Sequence, residues 1–273
     1  KTSIRWFMRS AEQGNAEAQS RLGRMYAEGK GVQQSYVEAI KWFISSAKQQ
    51  DAHGQYNLGK MYELGQGVSQ NYKEASKWYQ LAADQGDFTA QFLLGKLYAN
   101  GQGVPQDYDK AVKWYELAAD QGEVTAQFNL GKLYAEGRGV YKNSKRAAKW
   151  YCLAAEQGDA KSQSILGSMY AEGIGVSKDY ETSIRWYMRS AEQGNVEAQS
   201  SLGRMYAEGK VGEKDYKEAI KWYRLAAEQG NAEAQFSLGC IYAEGKVGEK
   251  DYKETIKWYR LAAEQGNAEA QSM

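Results

Sequence analysis

Tryptophan recurs along this chain at a fixed interval: Trp6, Trp42, Trp78, Trp114, Trp150, Trp186, Trp222 and Trp258 each follow the last by 36 residues, and there is no other tryptophan. No insertion or deletion breaks that register. A period of this size without drift is the mark of a stacked array, in which one supersecondary unit buries its apolar face only against the next. The repeat overrides the two ordinary domains that 273 residues would otherwise suggest. A single continuous array over residues 1–273 is therefore expected.

Each unit reads as two helices. The first runs from about Asn231 to Glu244, with Ala234, Leu238 and Tyr242 along one stripe. Its start carries a repeated cap residue (Asn15, Asp51, Asp87, Asp159, Asn195, Asn231, Asn267), from which only Glu123 departs. The preceding glycine suits the left-handed residue that closes the helix before it, and Gln50 breaks that pattern once. The second helix starts after Ser35, Asn71, Asp107, Asn143, Asp179, Asp215 or Asp251, where Glu38, Glu74, Glu218 and Glu254 supply the residue of a capping box. Within it Tyr108, Val112, Tyr115 and Ala119 form one apolar stripe, and Ala111, Trp114 and Ala118 another beside it. So wide an apolar arc must be buried between neighbours. The repeated pair Leu94-Gly95 places a glycine inside the first helix, which costs about 1 kcal/mol against alanine. A close approach is expected there, with a tryptophan above it.

Counted this way, residues 1–14 are a second helix without its mate, residues 15–266 are seven helix pairs, and residues 267–273 are the stub of another first helix. No polar terminal unit covers the end faces, so either the chain was trimmed or those faces pair with something else.

Composition excludes several classes. With 35 basic and 34 acidic residues spread through every repeat, no basic field for nucleic acid exists. The helical segments carry Lys, Arg, Glu or Gln every few positions, so no membrane span is expected and the chain reads as soluble. No signal peptide is visible, although the chain opens inside a repeat and its compartment stays open. Cys152 and Cys240 lie 88 residues apart. Units about 10 Å apart put them beyond the roughly 7 Å that a disulfide bridges, so two free thiols are expected.

The string from Asp107 to Val140, Asp-Tyr-x-Lys-Ala-x-Lys-Trp-Tyr-x-Leu-Ala-Ala-x-Gln-Gly with its Ala-Gln, Leu-Gly and Gly-x-Gly-Val continuation, resembles the Sel1-like repeat, a relative of the tetratricopeptide repeat. The resemblance covers essentially the whole chain. It implies an all-α fold, a right-handed superhelical solenoid of 36-residue helix-turn-helix units, and a role as adaptor or scaffold. Secreted members stapled by paired cysteines exist, and this chain lacks those pairs, so their compartment and any penicillin-binding activity are not carried over. Val211-Gly212 and Val247-Gly248 reverse the order of the loop Gly-Val, and Ser144 replaces the loop tyrosine, so those turns are expected to differ slightly.

Positions that packing does not dictate vary between repeats. On the first helix these are the columns of Glu17, Ser20, Arg21, Arg24 and Glu28, spaced onto one face. The resemblance implies that first helices line the concave side. Three successive units then offer His53, Tyr56, Asn57 and Lys60; Thr89, Phe92, Leu93 and Lys96; and Thr125, Phe128, Asn129 and Lys132. An aromatic beside a lysine, repeated at the pitch of the array, suits a protein or peptide segment with apolar and acidic groups. The candidate partner-binding residues are thus Tyr56, Asn57, Lys60, Phe92, Leu93, Lys96, Phe128, Asn129 and Lys132. In the other reading, Tyr56, Phe92, Phe128 and Phe236 only fill space between adjacent first helices.

Catalysis is not expected. The one histidine, His53, is 99 residues from Cys152, which in an array is on the order of 25 Å, too far for a nucleophile and base to meet. His53 is an ordinary surface residue in this reading, with no zinc site and no cofactor. Loops such as Gly101-Gln102-Gly103 follow a helix rather than a strand and are turns, not phosphate cradles. The alternative to a partner-binding scaffold is a structural module whose end faces self-associate head to tail. Residues 2–30 and 182–210 differ only at Phe7/Tyr187, Ala16/Val196 and Arg21/Ser201, which points to block duplication or to consensus design.

Overall fold

The computed structural model describes residues 2–272, so Lys1 and Met273 at the ends of the expected array lie outside the described residues. The described residues form helices and turns without a strand. The chain divides into two compact units, residues 1–142 and 143–273. The first unit holds α1 (Thr2–Glu12), α2 (Ala16–Glu28), α3 (Tyr36–Lys48), α4 (Ala52–Leu64), α5 (Tyr72–Asp84), α6 (Phe88–Asn100), α7 (Tyr108–Asp120) and α8 (Val124–Glu136). The second holds α9 (Ser144–Glu156), α10 (Ala160–Glu172), α11 (Tyr180–Glu192), α12 (Val196–Glu208), α13 (Tyr216–Glu228), α14 (Ala232–Glu244), α15 (Tyr252–Glu264) and α16 (Ala268–Gln271).

Both turns of the unit are set by capping. Asp87 accepts from the Ala90 amide at 2.8 Å to open α6, and the aberrant Glu123 does the same job by accepting from Ala126 at the start of α8. Asp107 opens α7 by accepting from the Lys110 amide at 3.0 Å. Between second and first helices the left-handed position is glycine, as at Gly86 (φ +91°), and Gln50 holds it at φ +63° as the one non-glycine exception among the described residues. The capping boxes do not close as expected. The backbone amides of Ser35, Asn71, Asp215 and Asp251 already donate to the carbonyls of Tyr26, Tyr62, Tyr206 and Tyr242. Glu38, Glu74, Glu218 and Glu254 instead turn forward to Lys41, Lys77, Lys221 and Lys257, one turn along the helix.

The core repeats with the sequence. Leu22, Leu58, Leu94, Leu130, Leu166, Leu202 and Leu238 are all fully buried, as are the alanines of the second-helix stripes, such as Ala111 and Ala118. In the first unit Trp78 of α5 packs onto the cluster that α3 and α4 make around Phe43, Leu58 and Met61. Trp114 of α7 does the same to the next cluster, around Tyr79, Leu94 and Leu97. In the second unit Trp222 joins the cluster of Tyr187 and Leu202, and Trp258 that of Tyr223 and Leu238. These tryptophans, with Trp42 on the cluster of Ala11 and Leu22, are therefore pegs, each set into the preceding cluster, whereas Trp6 is exposed.

They do not cover the helix glycines. A Cβ on Gly95 would lie 2.8 Å from the Tyr115 ring, and Gly59 faces Tyr79, Gly167 Tyr187 and Gly239 Tyr259 in the same way. The aromatic residue after the tryptophan, tyrosine at Tyr79, Tyr115, Tyr187 and Tyr259 and phenylalanine at Phe43 over Gly23, points to the partner helix of its own pair, about 100° around from the tryptophan, and its ring needs the space that a side chain on the glycine would take.

A candidate partner-binding face

The first helices of the first unit carry the variable columns, and these converge on a cleft between α2 and α4. Its volume is about 630 Å³, and its walls include Glu17, Arg21, Arg24, Glu28, His53, Tyr56, Asn57 and Lys60. Arg21 pairs with Glu17 at 2.5 Å and Arg24 with Glu28 at 3.9 Å, both spaced i,i+4 along α2. Lys30 also bonds Glu28, at 2.6 Å, and holds its carboxyl below the usual carboxylate range. Opposite them, Asn57 donates its side-chain amide to the His53 carbonyl at 2.7 Å. Lys60 makes no ion pair among the described residues and is exposed. His53 is exposed too, with Nδ1 3.9 Å from the Asp87 carboxylate. Four wall residues, Ala27, Tyr36, Met61 and Gln66, lie outside the variable columns. Tyr36 belongs to the packing stripe and Gln66 to the loop, yet Gln66 Nε2 donates to the Tyr36 hydroxyl at 3.4 Å at the edge of the cleft. Arg138 sits over the Tyr108 ring by the same 30-residue step, and that recurrence is the signal that would have found Tyr36 and Gln66.

The remaining candidates lie on the same face of the following first helices, outside the cleft. Phe92, Leu93 and Lys96 are on α6; Phe128, Asn129 and Lys132 are on α8. Tyr56 and Phe92 are half-buried, and each ring packs, tilted, on the tyrosine of its own second helix: Tyr56 on Tyr79 at 6.2 Å, Phe92 on Tyr115 at 5.9 Å. Each is thus shared between the surface and the packing of its own helix pair. Burial first, then the charges of Asp87 and Glu63, push the Tyr56 hydroxyl above its ordinary value. The three lysines are not equivalent. Lys96 reaches back to Glu63 at 3.3 Å, and Glu63 also accepts from the Tyr79 hydroxyl at 2.6 Å. Lys132 lies 3.9 Å from Glu136, and Lys60 makes no ion pair among the described residues, although its charge helps to lower Glu28.

In the second unit the equivalent face carries Ser164, Ser200, Ser201 and Phe236, and Phe236 stacks on Tyr259 at 5.5 Å. Cys152 and Cys240 are both free thiols. Among the described residues no group of His, Cys, Asp and Glu is gathered as a metal site would need, and no helix is long and apolar enough to cross a membrane.

Helix hairpins at a 36-residue period, capped and pegged alike in both units, define an α-solenoid repeat protein of the helix-turn-helix class. The model of the Sel1 repeat matches seven times in succession, at residues 16–51, 52–87, 89–123, 124–159, 160–195, 196–231 and 232–267, and the chain belongs to that family. It is similar to a protective antigen of uropathogenic Escherichia coli strains that displays an SLR fold, with 42% identity and a TM-score of 0.96 over 98% of this chain. This chain spans 58% of that protein's length. A Sel1 repeat protein from Oxalobacter formigenes is 39% identical, with a TM-score of 0.74, 98% of this chain and 78% of that one being covered. Among curated proteins none matches. Sel1 repeat proteins generally mediate protein–protein interaction, and the family is typically a non-catalytic scaffold.

Proposed function

We propose that the chain is a non-enzymatic adaptor that holds a protein or peptide segment with apolar and acidic groups along Tyr56, Asn57, Lys60, Phe92, Leu93, Lys96, Phe128, Asn129 and Lys132. The observation that carries this reading is the cleft between α2 and α4, whose walls come from columns that vary between repeats. A residue repeated for packing cannot discriminate partners, whereas one that changes from unit to unit can. Tyr56 offers a ring edge beside the unpaired ammonium of Lys60, so an apolar group and a carboxylate four residues or fewer apart on the partner would be met together. The unbroken register of the seven family repeats supports reading residues 1–273 as one array.

The test is selection of a phage-displayed library of random linear peptides on the immobilised chain. Peptides enriched in Asp or Glu beside an aromatic or branched residue are expected, and Lys60→Glu with Lys132→Glu should weaken their binding about tenfold, the worth of about 1.4 kcal/mol. Helical circular dichroism should not change. Selected peptides that bind this variant as well as the parent would remove the reading.

End-to-end self-association is the second reading. On α15, Tyr252 and Ile256 are exposed, whereas their equivalents on α13, Tyr216 and Ile220, are half-buried. A row of this kind can pack against a following repeat or take a second copy, and a contact with a second copy that does not close extends into a filament. Light scattering that gives one monomeric mass across a concentration series would exclude it.

A further inference from the structure

The second unit breaks its own pattern at one place. The described second helices α3, α5, α7, α11, α13 and α15 all open on a tyrosine, whereas α9 opens on Ser144. Four residues on, where Ile40, Val112, Ile184, Ile220 and Ile256 stand in other repeats and α5 has the small Ser76, α9 has Ala148. Each of those six other helices carries an acid in its first turn; α9 carries none and has Lys145 and Arg146 instead. In the following loop Ile174, which is 44% exposed, occupies the column of Lys30, Gln66, Gln102, Arg138, Lys210 and Lys246.

Three of these departures, at Lys145, Arg146 and Ala148, meet in space. A cleft of about 600 Å³, open to solvent, lies beside Ala148, where an isoleucine stands in most other repeats. Its walls are Ala148, Cys152, Leu166, Tyr170 and Val176, and its rim carries Lys145, Arg146 and Lys149. The backbone of Gly175 lies directly on the start of α9, since a Cβ there would fall 2.2 Å from the Ser144 carbonyl oxygen, and it closes one side. Burial, with the neighbouring Glu156, pushes the Cys152 thiol up to about 11, so it serves as an apolar wall and not as a nucleophile. Lys145 and Lys149 make no ion pair among the described residues, and Lys149 rests over the Trp150 ring at 5.5 Å.

None of this helps the fold. Small residues in place of large ones leave a hollow, and cations in the first turn oppose the helix dipole. A chain that violates its own rules at one spot is expected to do so for function. We propose that this cleft receives an aromatic or branched apolar side chain of a partner segment, which fills from outside the space beside Ala148, while acidic residues beside it meet Lys145 and Lys149. The open mouth favours a side chain projecting from a larger body over a free small molecule, which pockets usually enclose on most sides. The inference rests on the reading of the chain as a binder of partner segments, but it uses a different set of residues.

The test uses the same peptide selection with two further variants. Ala148→Ile refills the cleft with the residue of α3, α11, α13 and α15 and should leave the melting temperature equal or higher. Lys145→Glu with Lys149→Glu reverses the rim. A subset of selected peptides, apolar at one position and acidic beside it, should lose about tenfold or more in affinity on either change and be indifferent to Lys60→Glu/Lys132→Glu. Peptides that depend only on Lys60 and Lys132 would overturn this inference and leave the first face standing; a selection that yields no peptide would overturn both. Dodecanoate bound by the parent but not by the refilled variant, in calorimetry and without any cleft-dependent peptide, would assign the cleft to a free amphipathic anion and overturn the proposal.

Discussion

Gln85 donates its side-chain amide to the side-chain oxygen of Gln55 at 2.7 Å, and Gln55, only 3% exposed, aims its own amide at the Ala47 carbonyl at 3.5 Å. The relay ties one helix pair to the next and recurs as Gln121 on Gln91 in the first unit and as Gln193 on Gln163 and Gln229 on Gln199 in the second. It stops at Gln235, whose Oε1 is buried without a partner. Gln91 is buried and bonds at 3.1 Å to the Ala83 carbonyl and at 2.8 Å to Gln121. Gln91→Leu keeps the volume and removes both bonds, so a loss of about 1–3 kcal/mol is expected in urea unfolding. An unchanged midpoint would mean that the glutamines only fill space.

Gly95 should not tolerate a methyl group. Alanine gains about 1 kcal/mol in helix propensity. Its Cβ, however, would stand 2.8 Å from the Tyr115 ring and 3.3 Å from the Ala111 carbonyl oxygen. Overpacking of that kind costs about 1–3 kcal/mol, so Gly95→Ala should lower the melting temperature in spite of the propensity gain. A stabilised variant would show that the Tyr115 ring moves aside freely.

The tryptophan register and the cap residues carried the architecture in full view, because each is a local signal repeated in every unit. The seat of Gly95 was not legible: period alone says that a glycine meets an aromatic, and the adjacent pair Trp114-Tyr115 leaves open which one turns toward it. The capping boxes failed because a third party, the carbonyl of Tyr62 or its equivalent, reaches the cap amide first. The glutamine relay hid among residues counted as polar surface, although Gln19, Gln55, Gln91 and Gln127 never vary, and an invariant polar column is the clue. At the cleft of α2 and α4 the variable columns named most of the walls, but Tyr36 and Gln66, in packing and loop columns, needed coordinates. At α9 the loss of the tyrosine at Ser144 was visible, while the cleft beside Ala148 and its basic rim needed coordinates.

Gln50 holds the left-handed position that glycine fills elsewhere, at φ +63° against φ +91° at Gly86 and φ +90° at Gly122. The left-handed conformation costs a residue with a Cβ about 1–2 kcal/mol. Glycine returns part of that through its freer unfolded chain, about 0.4–1 kcal/mol. Gln50→Gly is therefore expected to stabilise by up to about 1 kcal/mol in chemical unfolding. A loss of stability would mean that the Gln50 side chain contributes more than its backbone costs.

The chain should lose stability in alkali before its backbone is attacked. Burial pushes the Tyr223 hydroxyl up to about 12, and burial raises Tyr79 and Tyr115 as well, with the Glu63 carboxylate adding to the effect at Tyr79. The sign follows from the protons. Unfolded tyrosines release theirs near pH 10, while the native ones still hold them, so the native state binds more protons and stability falls as pH rises. The contribution is complete below about pH 10 and declines by about 1.4 kcal/mol per pH unit for each buried tyrosine until it ionises in the native state. Tyrosinate absorbance and helical circular dichroism, followed together through an alkaline titration, should show these rings ionising only as the helices melt. Complete ionisation near pH 10 with the helices intact would show that Tyr79, Tyr115 and Tyr223 are in contact with water.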